Sequence, residues 1–384
     1  MLLTRAIKLK LDYPLEDFLP TAKAYTDAVN QVCQLGWSDN DKNMVSLQHK
    51  LYYSLRKTLP AQLCISALHK GCESLRSVFQ LRKRGKLGSC PVSKRSSIRF
   101  DHRSYNIWFS RNQISLLLVG ERKKFNIFIP KYFKQYLSWR RKSAELFIRK
   151  GKIFLNIVFD KDVEDTVSAG KTVGIDRGIK KIAVTSDKRF FGGGHVKQIC
   201  RRRQRVRSVL QKAGTKSAKR HLKKLSLKEN RFRRDVNHCI SKQIVEPLSK
   251  GTTLVLEDLT NIRGNSKKFR KKERAAINNW SFFQLEQFLK YKAEAKGVLL
   301  AHVDARYTSQ KCSRCGHISK SNRPHQAVFK CKKCEYSVNA DLNAAFNISK
   351  NYQDATCHPD RGSVNNPIVA PSGSYKPTAL AMGS

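Results

Sequence analysis

The chain has 384 residues, and its 76 Lys and Arg stand against 29 Asp and Glu, for a net charge of +47 and an isoelectric point near 10.2. No compact fold needs such an excess, since like charges repel; it reads as the footprint of a nucleic-acid binder. The sequence has neither the long apolar run of a transmembrane helix nor an amphipathic anchor for a membrane surface, which excludes the other common use of strong positive charge.

The first residues, MLLTRAIKLKLDYP, lack the apolar core of a signal peptide, and a cytoplasmic location is expected. They alternate like a strand, with Ile7, Leu9 and Leu11 opposite Lys8 and Lys10. Residues 13–87 read as helices. Tyr25, Ala28, Val29 and Val32 share one face; Leu68, Cys72, Leu75 and Phe79 share another; Pro20 and Pro60 punctuate. From about residue 88 the period changes to that of strands, in SSIRF, YNIWF, QISLLLV and FNIFI. ELFIRKGKIFLNIVF predicts a hairpin with Gly151 in the turn. This pattern predicts a small β-barrel or sandwich from residues 1–12 and 88–168, with 13–87 as a helical insertion.

A further domain is expected over 169–349. TVGIDRGIKKIAVTSD predicts strand, tight turn and strand, and RFFGGGH closes a third. A basic helical segment is expected over 200–250; residues 201–234 hold 15 Lys or Arg, with Glu229 as the one acid. Val206, Val209, Leu210 and Ala213 keep helical spacing there, which predicts a helix pair with a cationic outside. TTLVLEDL reads as a buried strand, KKFRKKER at 267–274 as a basic loop, WSFFQLEQFLKYKAEAKG as an amphipathic helix stopped by Gly297, and VLLAHVDA as another strand. Residues 350–384 turn rich in Pro, Gly, Ser and Asn and are expected to be a disordered tail.

Eleven cysteines are present, seven scattered and four clustered. The four, Cys312, Cys315, Cys331 and Cys334, follow C-x2-C-x15-C-x2-C within a module expected over 310–336. Each Cys-x-x-Cys makes a tight knuckle that places two thiolates on one ion, and two knuckles complete the closed tetrahedron of one structural Zn²⁺. Gly316 permits the first knuckle's turn, and His317 and His325 are read as surface residues because four sulfurs already suffice. The scattered cysteines are read as reduced thiols rather than a disulfide framework.

Three carboxylates stand out. Asp341 follows the second knuckle in NADLNAAFNISK, in the first turn of a helix with Asn339 as N-cap, and shares a face with Ala344, Ala345 and Ile348. By itself it reads as an ordinary capping aspartate. Asp176 ends an apolar strand in TVGID, and LVLEDL puts Glu257 and Asp258 into a buried one. An acid on a central strand costs several kcal/mol unless it is paired or binds a metal. Together, in so basic a chain, they suggest carboxylates holding two Mg²⁺ ions about 4 Å apart for phosphodiester hydrolysis. Strand alternation does not choose between Glu257 and Asp258, and Asp304 is read as structural. Phe232 and Phe269, among basic residues, are candidates for stacking on bases or for small core anchors.

VGIDRGIKKIAVTSD, LVLEDL and YTSQKCSRCG…CKKCEYSVNADLNAAFNI resemble, in order, the three RuvC-type nuclease segments of the TnpB family with its inserted zinc finger, over roughly residues 171–348. The N-terminal half fits that family by architecture. The resemblance implies a multidomain α+β protein: an N-terminal wedge-like β-barrel with a helical recognition insertion, then an RNase H-like (RuvC) α/β nuclease domain with the four-cysteine finger inserted. It implies a transposon-encoded, RNA-guided DNA endonuclease, related to compact type V CRISPR effectors, with Asp176, Glu257 and Asp341 as catalytic, Mg²⁺-binding acids; the family places the glutamate at Glu257. Its partners would be a guide RNA from the element's end and double-stranded target DNA beside a short protein-read motif. Arg177 stands where many relatives have an uncharged residue. A CRISPR-locus effector, a nuclease-inactive RNA-guided repressor and an unguided RuvC-like transposase accessory protein are the alternative readings.

Overall fold

The structure, a computed structural model, describes residues 1–86, 88–259 and 281–357. It divides into two compact units, Leu2–Val163 and the chain from Glu164 onward with Met1. Among the described residues no helix is long and apolar enough to cross a membrane.

In the first unit, β1 (Leu2–Leu11) leads into three helices, α1 (Leu19–Ser38), α2 (Met44–Arg56) and α3 (Ala61–Lys83). Pro20 opens α1, the Asn43 side chain accepts the Val45 N–H at the start of α2, and Pro60 precedes α3. Seven strands make up the β part, counting β1. They are completed by β2 (Ile98–Phe100), β3 (Tyr105–Trp108), β4 (Gln113–Leu117), β5 (Arg122–Asn126), β6 (Arg140–Arg149) and β7 (Lys152–Asp162). The hairpin at Gly151 joins β6 to β7, with Lys150 and Gly151 both at positive φ.

The expected barrel is not closed. Among the described residues the strands form two open antiparallel sheets, in the orders β1-β7-β6-β2 and β3-β4-β5, over one shared apolar core. The break lies at residues 101–104. Asp101 Oδ1 accepts from the Ser104 N–H at 2.9 Å and the Arg103 N–H at 3.1 Å, an Asx turn that lifts the chain off β2 before it can continue pairing. Alternation reports which face of a strand is buried, and it is the same for a closed barrel and for two sheets.

The second unit is a five-stranded sheet in the order β10-β9-β8-β11-β12. β8 (Thr172–Asp176), β9 (Lys181–Thr185) and β10 (Phe190–Gly192) form an antiparallel meander. Parallel to β8 run β11 (Thr253–Glu257) and then β12 (Leu299–Val303). The crossover from β10 to β11 carries α4 (Gly194–Ala213) and α5 (Lys216–Val245); α6 (Phe282–Lys296) precedes β12, and α7 (Ala340–Cys357) ends the described chain. The tail expected from residue 350 therefore begins as helix, and from 358 onward it lies outside the described residues, as does the basic loop 267–274 with Phe269.

The two faces of this sheet are distinct. Val173, Ile175, Leu254 and Leu256 pack with Ile240 and Ile244 of α5 and Leu285 and Leu289 of α6. On the other face Val255, Ala301 and Val303 meet Ile348 and Tyr352 of α7. Gly174 lies in phase with that second face, and α7 rests directly on it: a Cβ there would overlap the Ala345 carbonyl and the Ser349 amide. The small side chains Ala344 and Ala345, both buried, let the helix come this close.

The helix pair expected from this spacing forms as α4 and α5. No residue of α4 is buried, and Val209 is 67% exposed. The pair α4–α5 is held by Arg207 to Glu229 at 2.7 Å and by Arg203 over the Phe232 ring at 4.9 Å, so Phe232 serves as an anchor between the helices.

Gly174→Ala is expected to destabilise the second unit by about 3 kcal/mol, the upper end for overpacking, because backbone rather than a flexible side chain blocks the methyl. Gly192→Ala, where nothing lies within 4 Å, is expected to be near neutral. Denaturation midpoints of the two variants check this.

Candidate functional site

The sheet's alternation places the carboxylates. Asp176 is in phase with Gly174, and Glu257 with Val255, so both project from the face that α7 covers. Leu256 pairs with Ile175, so the two acids end neighbouring parallel strands side by side. Asp341 arrives from the first turn of α7, where the Asn339 side chain accepts the Asp341 and Leu342 N–H groups. Asp258 falls on the opposite phase and is exposed, which separates it from Glu257. Asp304 accepts from the Arg306 N–H and ties its own loop.

Burial raises the Asp176 carboxyl well above the usual range, and the nearby Glu257 and Asp341 charges push it further, against Arg323 and Arg177. Burial also raises Glu257, opposed by a hydrogen bond from Thr308 and by Arg177. Asp176 therefore feels the charges of both other acids, and the three carboxylates offer oxygen donors of the kind that suits a hard cation. As a set they do not close to the spacing of a single-ion cage; among the described residues the cysteines do that.

Several partners had no signature in the sequence. Thr308 Oγ1 donates to Glu257 Oε1 at 2.6 Å. Arg323, from the loop between the two cysteine pairs, reaches Asp341 Oδ1 at 3.2 Å. Behind the sheet end, the Arg177 side chain is 0% exposed. It donates to the Glu257 main-chain oxygen at 2.6 Å and to Glu286 Oε2 at 2.7 Å. Glu286 Oε1 in turn lies 3.1 Å from His302 Nε2. Burial alone would raise Glu286, but His302 and Arg177 outweigh it and bring the carboxyl down to about 2. The unusual residue after Asp176 thus clamps β8 to β11 and α6.

The four cysteines converge as expected, with every sulfur within 4.8 Å of the others. Cys312 and Cys334 Sγ are 3.7 Å apart, Cys315 and Cys331 Sγ 3.6 Å. A tetrahedron with metal–sulfur bonds of about 2.3 Å has edges close to these. The two knuckles repeat one geometry. Gly316 and Glu335, each just after its pair, have φ of 77° and 57° and donate N–H to Cys312 and Cys331 carbonyls at 2.9 and 3.1 Å. Burial opposes ionisation of Cys331, yet main-chain N–H groups of Cys334 and Lys333 bring it down to about 6. Cys334 accepts the Tyr336 N–H but is pushed up to about 12 by burial and its neighbouring sulfurs. Protein groups alone leave Cys331 and Cys334 unequal, and a Zn²⁺ held by the four sulfurs would supply the positive charge that favours their thiolate forms.

This module is bolted to the acids. Buried Asn322 donates to the Gln310 and His317 carbonyls and accepts the Lys332 N–H, which links the two halves. Asn347 of α7 donates to the Thr308 and Lys311 carbonyls at 2.8 and 2.6 Å. β13 (Val328–Lys330) pairs with β14 (Ser337–Asn339), which runs directly into α7.

One zinc per chain is expected by elemental analysis. Its removal by a strong chelator, or Cys331→Ser, should raise amide exchange at the start of α7 while Leu254–Leu256 stay protected. Arg177→Met should cost about 3–5 kcal/mol, because it strands the Glu286 charge, and Glu286→Met should recover part of that loss in a double-mutant cycle of unfolding free energies.

Residues 282–348 match the family model "Cas12f1-like, TNB domain", and residues 156–267 match the OrfB_IS605 model "Probable transposase". The chain is 35% identical over 221 residues to the CRISPR-associated endodeoxyribonuclease Cas12f1 of Sulfoacidibacillus thermotolerans, covering 52% of this chain and 50% of that one. It is 29% identical over 263 residues to the TnpB-like protein MJ0751 of Methanocaldococcus jannaschii, covering 62% of this chain and 90% of that one. The chain thus spans about half the length of the first of these relatives. In fold it is similar to CasPhi-2 (Cas12j) bound to crRNA, with a TM-score of 0.51 at 11% identity over 90% of this chain and 97% of that one. Residues 156–267 thus match the OrfB_IS605 model and residues 282–348 the Cas12f-like TNB domain with its four-cysteine cluster, and the chain is similar to TnpB-like proteins and to the Cas12f effectors.

Proposed function

We propose that this protein is an RNA-guided DNA endonuclease that hydrolyses phosphodiester bonds at one Mg²⁺-dependent site formed by Asp176, Glu257 and Asp341. The observation that carries the reading is the convergence of these acids on one face of the sheet, from β8, β11 and α7. A trio of neighbouring, half-buried to buried carboxylates is costly, and divalent cations would relieve that cost. The sheet order, an antiparallel meander beside two parallel strands, supports the RNase H-like (RuvC) reading of the second unit.

Two Mg²⁺ ions held there would supply an activated water and a stabilised leaving oxygen. The chain's own residues prepare the site. Thr308 fixes one oxygen of Glu257, Arg323 holds Asp341, and Arg177 sets the Glu257 backbone from behind. The exposed cationic surface of α4 and α5 suits the phosphates of a guide RNA and its DNA heteroduplex, with sequence recognition left to base pairing. The guide would come from the element's own end, the first unit would hold the RNA and read the target-adjacent motif, and the protein would work in the cytoplasm.

Purified with its co-expressed flanking RNA, the wild-type chain is expected to cut a matching plasmid in Mg²⁺ and not in EDTA. Asp176→Ala should lower the rate by at least about a thousandfold, the scale of a lost charge-stabilising group, and leave DNA affinity within about threefold. Continued cutting by that variant would place the chemistry elsewhere. RNA-dependent binding without cutting by the wild type would make it a repressor, and cutting without RNA would make it an unguided nuclease.

A further inference from the structure

The loop that leaves β12 holds a residue that the site described so far does not use. Tyr307 has φ of 60°, in the left-handed region that L side chains other than Asn and Asp seldom occupy. The other non-glycine residues at positive φ are Asn40, Asn112, Lys150, Lys188 and Glu335, so Tyr307 is the one aromatic among the described residues in this conformation. Its carbonyl accepts the Gln310 and Lys311 N–H groups at 2.9 and 2.8 Å, which explains the turn. The turn requires a backbone shape that Gly or Asn would adopt with less strain; it gives no reason for a large ring. The ring is also not packed away, for Tyr307 is 59% exposed.

Its position is specific. The next residue, Thr308, is buried and donates to Glu257 Oε1 at 2.6 Å. With adjacent Cα atoms about 3.8 Å apart, the Tyr307 backbone lies within about 9 Å of the Glu257 carboxylate. The loop follows Val303, the pairing partner of Glu257, and so leaves the sheet at the carboxyl ends of its parallel strands, where Asp176 and Glu257 also end. Arg306, the residue before Tyr307, is exposed and lies 3.6 Å from Asp304 Oδ2, so its charge is already partnered and the ring is the group left open. An exposed aromatic face is a surface on which unpaired bases stack without regard to sequence. Backbone strain retained beneath a largely exposed ring points to a use in binding.

We propose that Tyr307 is a stacking platform for an unpaired base next to the bond being cut. This rests on the nuclease reading for the identity of that bond. The platform itself is read separately.

The test uses the full chain with its co-purifying RNA. In an Asp176→Ala background, a short single-stranded DNA carrying 2-aminopurine is titrated and its fluorescence quenching followed. The Tyr307→Asn form is expected to lose most of the quenching and to bind about ten- to a hundredfold more weakly, while Tyr307→Phe and Tyr307→Trp stay within about threefold. Thermal midpoints separate this from a folding defect, because Asn relieves the left-handed strain and should leave the midpoint unchanged or higher. With Asp176 intact, the Asn form should show a raised KM for DNA cleavage. Equal quenching and binding in the Tyr and Asn forms, or a Phe form as weak as Asn, would overturn the platform. If the wild type fails to cut while quenching still depends on Tyr307, the nuclease reading falls and the platform stands. If cutting is normal and quenching does not depend on Tyr307, the platform falls alone.

Discussion

The close approach of α7 to Gly174 governs the second unit. A helix bearing Asp341 can reach the strand bearing Asp176 only because one strand residue lacks a side chain and the facing helix residues are small. The same contact decides which sheet face becomes chemical. On the α5–α6 side the strands present Val173, Ile175, Leu254 and Leu256 to a conventional apolar core. On the α7 side the packing ends where the strands end, and the acids occupy the edge of the hydrophobic contact. Like charges gathered there oppose folding, and the sheet holds them because both faces of its strands are already committed.

Two arginines offset that repulsion from different directions. Arg177 is wholly enclosed and works on the main chain, so it fixes where β11 ends without occupying a carboxylate oxygen of Glu257. Arg323 comes from the cysteine module and contacts the Asp341 carboxylate itself. One is part of the frame; the other is a counter-charge in the same place a cation would compete for. In a protein of net charge +47, positive groups are abundant, and what matters is which of them the fold brings into contact with the acids.

Much of this was legible in the sequence where spacing maps directly onto geometry. The paired cysteines converge because a knuckle's shape is local, and Asp341 sits in a first helical turn because Asn339 caps it locally. The meander around Asp176 and the buried strand at Glu257 follow from short apolar runs between turn residues. What was not legible depends on tertiary register. Thr308, Arg323, Asn322, Glu286 and His302 are ordinary residues in ordinary segments, and only the folded chain gives them partners. Helical spacing predicted the α4–α5 pair, but the spacing of valines does not create a surface to cover them, and Val206 and Val209 stay exposed. The open sheets of the first unit show the same limit, since the Asx turn at Asp101 redirects strands whose alternation is unchanged.

The direct passage from β14 into α7 makes chain length itself a functional variable. There is no linker between Asn339 and Ala340 to absorb an added residue. An α-helix turns about 100° per residue, so one inserted or deleted position there would swing the acid to a different side of the helix while every sulfur kept its place. The span between Cys315 and Cys331 is tied at Asn322, at Arg323 and along β13, and the residues between those points do not set the phase of α7. Indels in related chains should therefore gather between the knuckles and be absent from the six residues that separate Cys334 from Asp341.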